Sequence, residues 1–93
     1  MELGELYMTA GVNDLVAEDE EFAQHIAKSM ARYLEQDWGD LTTEDVEMNN
    51  LAVASGEDRI LAAYKHPQHP DWRIWIITEW DRSATTILFP DEY

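Results

Sequence analysis

Apolar positions follow two different periods along this chain. From Asp19 the spacing is helical: Phe22, Ile26, Met30, Tyr33 and Leu34 are separated by four, four, three and one, which places them on one side of a helix. Ala23 and Ala27 widen that stripe. Glu18, Asp19, Glu20 and Glu21 crowd the first turn, where the helix dipole favours negative charge. Asp37-Trp38-Gly39 is expected to end the helix, with Gly39 free to take positive φ.

A second helix is expected from about Thr43 to Ser55, closed by Gly56. Val46, Asn50 and Val53 share one side of it and Met48, Leu51 and Ala52 another, so cover on both sides is expected. Before the helices the pattern is loose. Glu5-Leu6-Tyr7-Met8-Thr9 suits a short edge strand, with a turn at Gly11 and Asn13.

After Gly56 the period becomes two. Arg59–Lys65 alternates Ile60, Ala62 and Tyr64 against Leu61 and Ala63. The turn-rich His66-Pro67-Gln68-His69-Pro70-Asp71 follows. Trp72–Glu79 then sets Trp72, Ile74, Ile76 and Thr78 against Arg73, Trp75, Ile77 and Glu79. Both faces are apolar at the centre, as in a strand covered on both sides. Trp80-Asp81-Arg82-Ser83 suits a tight turn, and Ala84–Phe89 is a third β-rich run ended by Pro90. The expected fold is α+β: two N-terminal helices packed on a three-stranded antiparallel β-meander in the order 1-2-3, one domain over residues 1–93. Either the N-terminal segment or a second copy is expected to cover the far apolar face, so a homodimer is one expectation.

Composition adds a strong charge asymmetry. Among 93 residues, 20 acids against six bases give −14, with −11 in residues 1–50 and −3 in residues 51–93. Such a field repels nucleic acid and anionic membranes and draws in cationic surfaces. No direct nucleic-acid or membrane binding is expected; a basic protein partner is. The absence of cysteine removes disulfide and thiolate chemistry. The N-terminus lacks a basic signal-peptide region, and no apolar run approaches the ~18 residues of a membrane span. A cytoplasmic location is expected.

The segment DWGDLTTED, residues 37–45, holds four carboxylates in nine residues. Counted as an EF-hand loop from Asp37, it has Gly39 at position three, Thr42 at six and Met48 at twelve, so the ligand pattern fails. Asp40, Thr42 and Thr43 are good helix N-caps, with Glu44, Asp45 and Glu47 in the first turn. Asp37, Asp40, Glu44 and Asp45 are therefore expected as a capping corner and, functionally, as an acidic patch for a partner. His66 and His69 have ligand-pair spacing, but each precedes a proline and both are expected as turn residues. His25, one turn after Glu21, suits a helix-surface ion pair. Asn49 and Asn50 are expected to bridge to the sheet.

The run TEWDRSATT, residues 78–86, is the other polar cluster. Asp81 can cap its own turn, and Arg82 can pair with Glu79 or Asp81. The alternative is a small-ligand or enzymatic site in which Arg82 holds an anion, Glu79 is a base, and Asn50 and the acidic corner lie nearby. No triad, phosphate loop or zinc signature accompanies it. No catalytic residue, metal ligand or cofactor is assigned.

DWGDLTTED, then Asn49-Asn50, WIITEWDRSATTILFPDEY and Met8-Thr9-Ala10-Gly11-Val12 together resemble a family of small plasmid-related proteins from Firmicutes plasmids and conjugative elements. The likeness covers about residues 8–93 and would make residues 1–7 a flexible extension. It implies a mobile-element context but carries over no activity. The function expected is a non-enzymatic protein-interaction module for a basic partner, with a DNA-mimic or antirestriction role as its narrower form.

Overall fold

A computed structural model describes all 93 residues. The fold is α+β, with three helices and a four-stranded mixed sheet. In chain order the elements are β1 (Glu5–Met8), α1 (Ala10–Glu18), α2 (Glu20–Leu34), α3 (Thr43–Ser55), β2 (Ile60–Tyr64), β3 (Ile74–Thr78) and β4 (Ala84–Leu88). The sheet order is β1-β4-β3-β2.

The expected antiparallel meander is present as β2-β3-β4, in a register that pairs Ala62 with Ile76 and Ile76 with Ile87. Two additions correct the expected architecture. β1 joins β4 in parallel, so the sheet is mixed and four-stranded. Residues 5–7, which the family likeness set apart as an extension, are the first three residues of that strand. The second addition is α1, where a turn at Gly11 and Asn13 was expected. Strand β3 also begins at Ile74 rather than Trp72, because Pro70–Trp72 forms a 3-10 turn.

The helices cover one sheet face. Ile60, Ala62, Tyr64, Ile74, Ile76 and Ile87 point towards Val12, Phe22, Ile26 and Tyr33, and together they form the main core with Trp38 and Ala52. Leu34, counted in the α2 stripe from its spacing, is instead 56% exposed at the last helical position. A polar chain crosses this core: the hydroxyls of Tyr33, Thr78 and Thr85 lie 2.6 and 2.8 Å apart, and Thr85 Oγ1 donates to the Leu3 carbonyl at 2.7 Å. Because Thr85 spends its only proton on that carbonyl, Thr78 must donate to Thr85 and Tyr33 to Thr78. Burial raises the Tyr33 phenol to about 12, so the donor end of the chain stays protonated at neutral pH. On the opposite face Trp75 packs over the Ala63 and Leu88 row, with the Tyr93 ring edge-on to it at 5.7 Å.

The outer edge of β2 is closed by side chains and loop backbone. Asn49 donates Nδ2–H to the Leu61 carbonyl at 2.8 Å and accepts from Leu61 N–H at 3.3 Å. Two residues on, Asp40 N–H donates to the Ala63 carbonyl at 2.7 Å and Ala63 N–H donates to the Trp38 carbonyl at 3.2 Å. Asp40 Oδ2 then accepts from Lys65 N–H at 3.0 Å. Gly39 makes this approach possible: its φ is +77°, and a Cβ there would overlap the Ala63 carbonyl oxygen. At the other edge, β1 has all four residues exposed. Glu5 and Thr9 donate their N–H groups to β4-side carbonyls, so the alternate residues Leu6 and Met8 turn theirs outward.

Candidate functional site

The acidic corner is mostly structural. Asp37 accepts from Arg32 Nε at 2.8 Å and Nη2 at 3.2 Å, and from Gly39 N–H at 3.1 Å. Its bond to Arg32 holds the Asp37 carboxyl below the usual aspartate range, and the same bond raises Arg32. Thr42 is the N-cap of α3, accepting from Asp45 N–H, with Glu44 and Asp45 in the first turn. Trp38 is buried against Tyr33 and donates Nε1–H to Asn50 at 3.0 Å.

Arg82 lies at the other end of α3. Its guanidinium donates to the carbonyls of Ala52 at 2.8 Å, Asp58 at 2.6 Å, Trp80 at 3.1 Å and Glu79 at 3.2 Å. It pairs with neither the Glu79 nor the Asp81 carboxylate. Asp81 instead accepts from Ser83 N–H at 3.0 Å, and its hydrogen bonds to Ser83 hold its carboxyl below the ordinary range. In place of the expected pairing with Glu79 or Asp81, Arg82 forms a clamp that ties the α3 C-terminus to two turns. Thirteen residues of α3 span about 18 Å, so the Asp37–Asp45 corner and the Glu79–Arg82 turn are not brought together.

What sequence reasoning missed is a groove beside α3. The helix buries Asn49 and Ala52, but Met48 and Leu51 on its outer side are 60% and 65% exposed. This side was expected to be covered. Met48, Leu41 and Leu61 form apolar walls of a cleft of about 390 Å³ between α3 and β2, and Asp45 and Asp58 stand in the same lining. Arg59 also borders it, but its guanidinium lies 5.8 Å from the Tyr93 ring centroid and donates to the Tyr93 hydroxyl. The groove thus combines apolar walls with two carboxylates, neither of them in an ion pair, against one lining base, Arg59.

The three histidines neighbour one another, and His25 and His66 line a second cleft. His25 is not paired with Glu21 as its spacing suggested. It is buried, its Nε2 lies 2.9 Å from the Trp72 carbonyl, and burial lowers its pKa. Glu21 accepts from His69 Nε2 at 3.2 Å instead, and the His69 ring stacks on Trp72 at 3.8 Å. His66 lies 5.1 Å from the His25 ring and 4.9 Å from that of His69. These histidines form an aromatic cluster, and no group of three or more His, Asp or Glu side chains is arranged to hold a metal ion. The cleft, about 330 Å³, has a polar α2 wall of Gln24, Lys28, Ser29 and Arg32 and a second wall of Lys65, His66 and Gln68. The α2 residues recur at helical spacing, so this polar stripe was present in the sequence beside the apolar one.

No helix is long and apolar enough to cross a membrane. Comparison with protein-family models, curated proteins and solved structures finds no match to this chain.

Proposed function

We propose that the chain is a protein-interaction module for a basic partner, and that the α3–β2 groove receives a lysine or arginine side chain from it. The observation that carries this reading is the groove lining: Leu41, Met48 and Leu61 suit an aliphatic stem, and Asp45 and Asp58, two carboxylates against the one base Arg59, suit the cation at its end. The net charge of −14 adds a long-range pull on a basic surface. An exposed ion pair alone is worth about 0–1 kcal/mol, so the apolar stem contacts and several such pairs must act together. The resemblance to plasmid-related proteins supplies a mobile-element setting for this proposal. Its narrower form is occupation of a partner's nucleic-acid-binding surface, with carboxylates in place of phosphates. We assign no catalytic residue.

The test is calorimetric titration of the full chain with a lysine-rich peptide at two salt concentrations, repeated on an Asp45→Asn/Asp58→Asn variant. Affinity should fall steeply with salt, and the variant should lose about tenfold, or ~1.4 kcal/mol. Equal affinity for variant and parent would remove the groove from the proposal.

A further inference from the structure

The cleft between α2 and the chain after β2 concentrates positive charge in an acidic molecule. Lys28, Arg32 and Lys65 are three of the six Lys and Arg residues, and all three line this one cleft. Pro67 is the one apolar side chain in the lining, and the lining's one carboxylate, Glu21, is engaged by His69. The molecule has one ion pair of Lys or Arg with a carboxylate, Arg32–Asp37, and a His69–Glu21 contact that is ionic only with a protonated ring. With 20 carboxylates in the chain, the Lys28 and Lys65 ammonium groups still have none within ion-pair distance. Like charges gathered on one cleft repel each other unless an anion lies between them.

From this arrangement we propose that the cleft binds a small phosphate monoester. Several donors are already fixed. Arg32 is held by Asp37 through Nε and Nη2 and lies 5.0 Å over the Tyr64 ring, which leaves Nη1 uncommitted. His66 Nδ1 accepts from Gln68 N–H at 3.1 Å, so the proton of the neutral ring is on Nε2. Ser29 is 2% exposed and brings its hydroxyl to the same wall. His25, anchored to the Trp72 carbonyl, forms part of the lining without offering that nitrogen to a ligand.

A phosphoryl group matches this donor set better than a carboxylate. It is largely dianionic at neutral pH and has three acceptor oxygens, and guanidinium and ammonium groups meet such oxygens with charge-assisted hydrogen bonds. The cleft volume of about 330 Å³ lies at the small end of ligand pockets. Apart from Pro67 its wall is polar, which suits a short hydroxylated body rather than an apolar one. The overall charge of −14 does not preclude this, because distant exposed carboxylates are screened beyond about 8 Å at physiological ionic strength.

The experiment is an NMR titration of the full chain with glycerol 3-phosphate, with inorganic phosphate, and with glycerol as the uncharged control. Saturable shifts at Lys28, Ser29, Lys65 and His66 with the ester are expected, with glycerol inert. A Lys28→Gln/Lys65→Gln variant should bind the ester at least about tenfold more weakly, while Arg73→Gln, at an exposed base outside the cleft, should leave binding unchanged. Saturation by inorganic phosphate with no binding of the ester would overturn the assignment to a monoester. Absence of saturation, or equal affinity in the double-lysine variant, would overturn the site.

Discussion

Arg82 shows how much one side chain can hold at the residue scale. Its guanidinium satisfies carbonyls from α3, from the loop before β2 and from the β3–β4 turn. Hydrogen bonds from charged donors contribute about 1.5–3 kcal/mol. Arg82→Ala is therefore expected to cost about 2–3 kcal/mol in urea unfolding. Arg82→Lys should recover only part of it, since a single ammonium cannot replace the planar fork. A loss below about 0.5 kcal/mol, the range of ordinary surface substitutions, would show that the clamp is not stabilising. Sequence alone made Arg82 visible as unusual but gave it the wrong partner type. Its targets are backbone carbonyls, which carry no signature in the sequence, while Glu79 and Asp81 beside it offered conspicuous carboxylates.

At the scale of elements, α1 depends on a residue 83 positions from its N-cap. Thr9 makes no cap bond within its own helix. Instead the Glu92 carboxylate accepts from Thr9 Oγ1 at 2.6 Å, Gly11 N–H at 3.1 Å and Phe89 N–H at 2.9 Å. Desolvation alone would raise this carboxyl, but the hydrogen bonds from Thr9, Phe89 and Gly11 together hold it below the ordinary glutamate value of 4.5. A depressed folded pKa means that the stabilisation is complete above the unfolded value and is lost as pH falls through the folded one. Amide exchange at residues 10–13 should therefore accelerate as pH drops below about 4.5, after correction for intrinsic rates. Glu92→Gln should lose ~1 kcal/mol at neutral pH, the usual worth of a helix cap, and should flatten that pH dependence. An unchanged pH profile in the variant would remove Glu92 as the cause.

This remote cap explains why α1 escaped the sequence reading. Gly11, Val12, Asn13 and Val16 are weak helix formers, and Thr9, although it stands at the N-cap, gives its hydroxyl to Glu92 rather than to the amides of its own helix. By contrast α3 was legible to the residue, because Thr42 caps it locally and Gly56 closes it with φ +72°. The three antiparallel strands were legible from their period of two. The parallel pairing of β1 was not, since parallel partners are joined by the whole intervening chain rather than by a turn. The groove beside α3 was half legible: its two apolar sides were visible, but which side stays open depends on where the helix docks.

At the scale of the whole molecule, a net charge of −14 goes with a single ion pair between a base and a carboxylate, Arg32–Asp37. Self-repulsion therefore opposes the compact state. Adding salt to about 0.5 M, which shortens the Debye length well below 8 Å, should raise the thermal unfolding midpoint of the free protein. A midpoint that falls with salt would mean that attractive pairs outweigh the repulsion. The same condition should weaken capture of a basic partner, so stability and binding are expected to move in opposite directions along one salt series.

The two sheet edges differ in kind. On the β2 side the outward amides of Leu61, Ala63 and Lys65 already have partners in Asn49, Trp38 and Asp40. The β1 side is exposed along its length. A sheet with one reactive rim and one blocked rim has a valence of one. Any assembly built by adding strands must stop once that rim is used, as a closed pair or a one-to-one complex, and cannot propagate into a fibre.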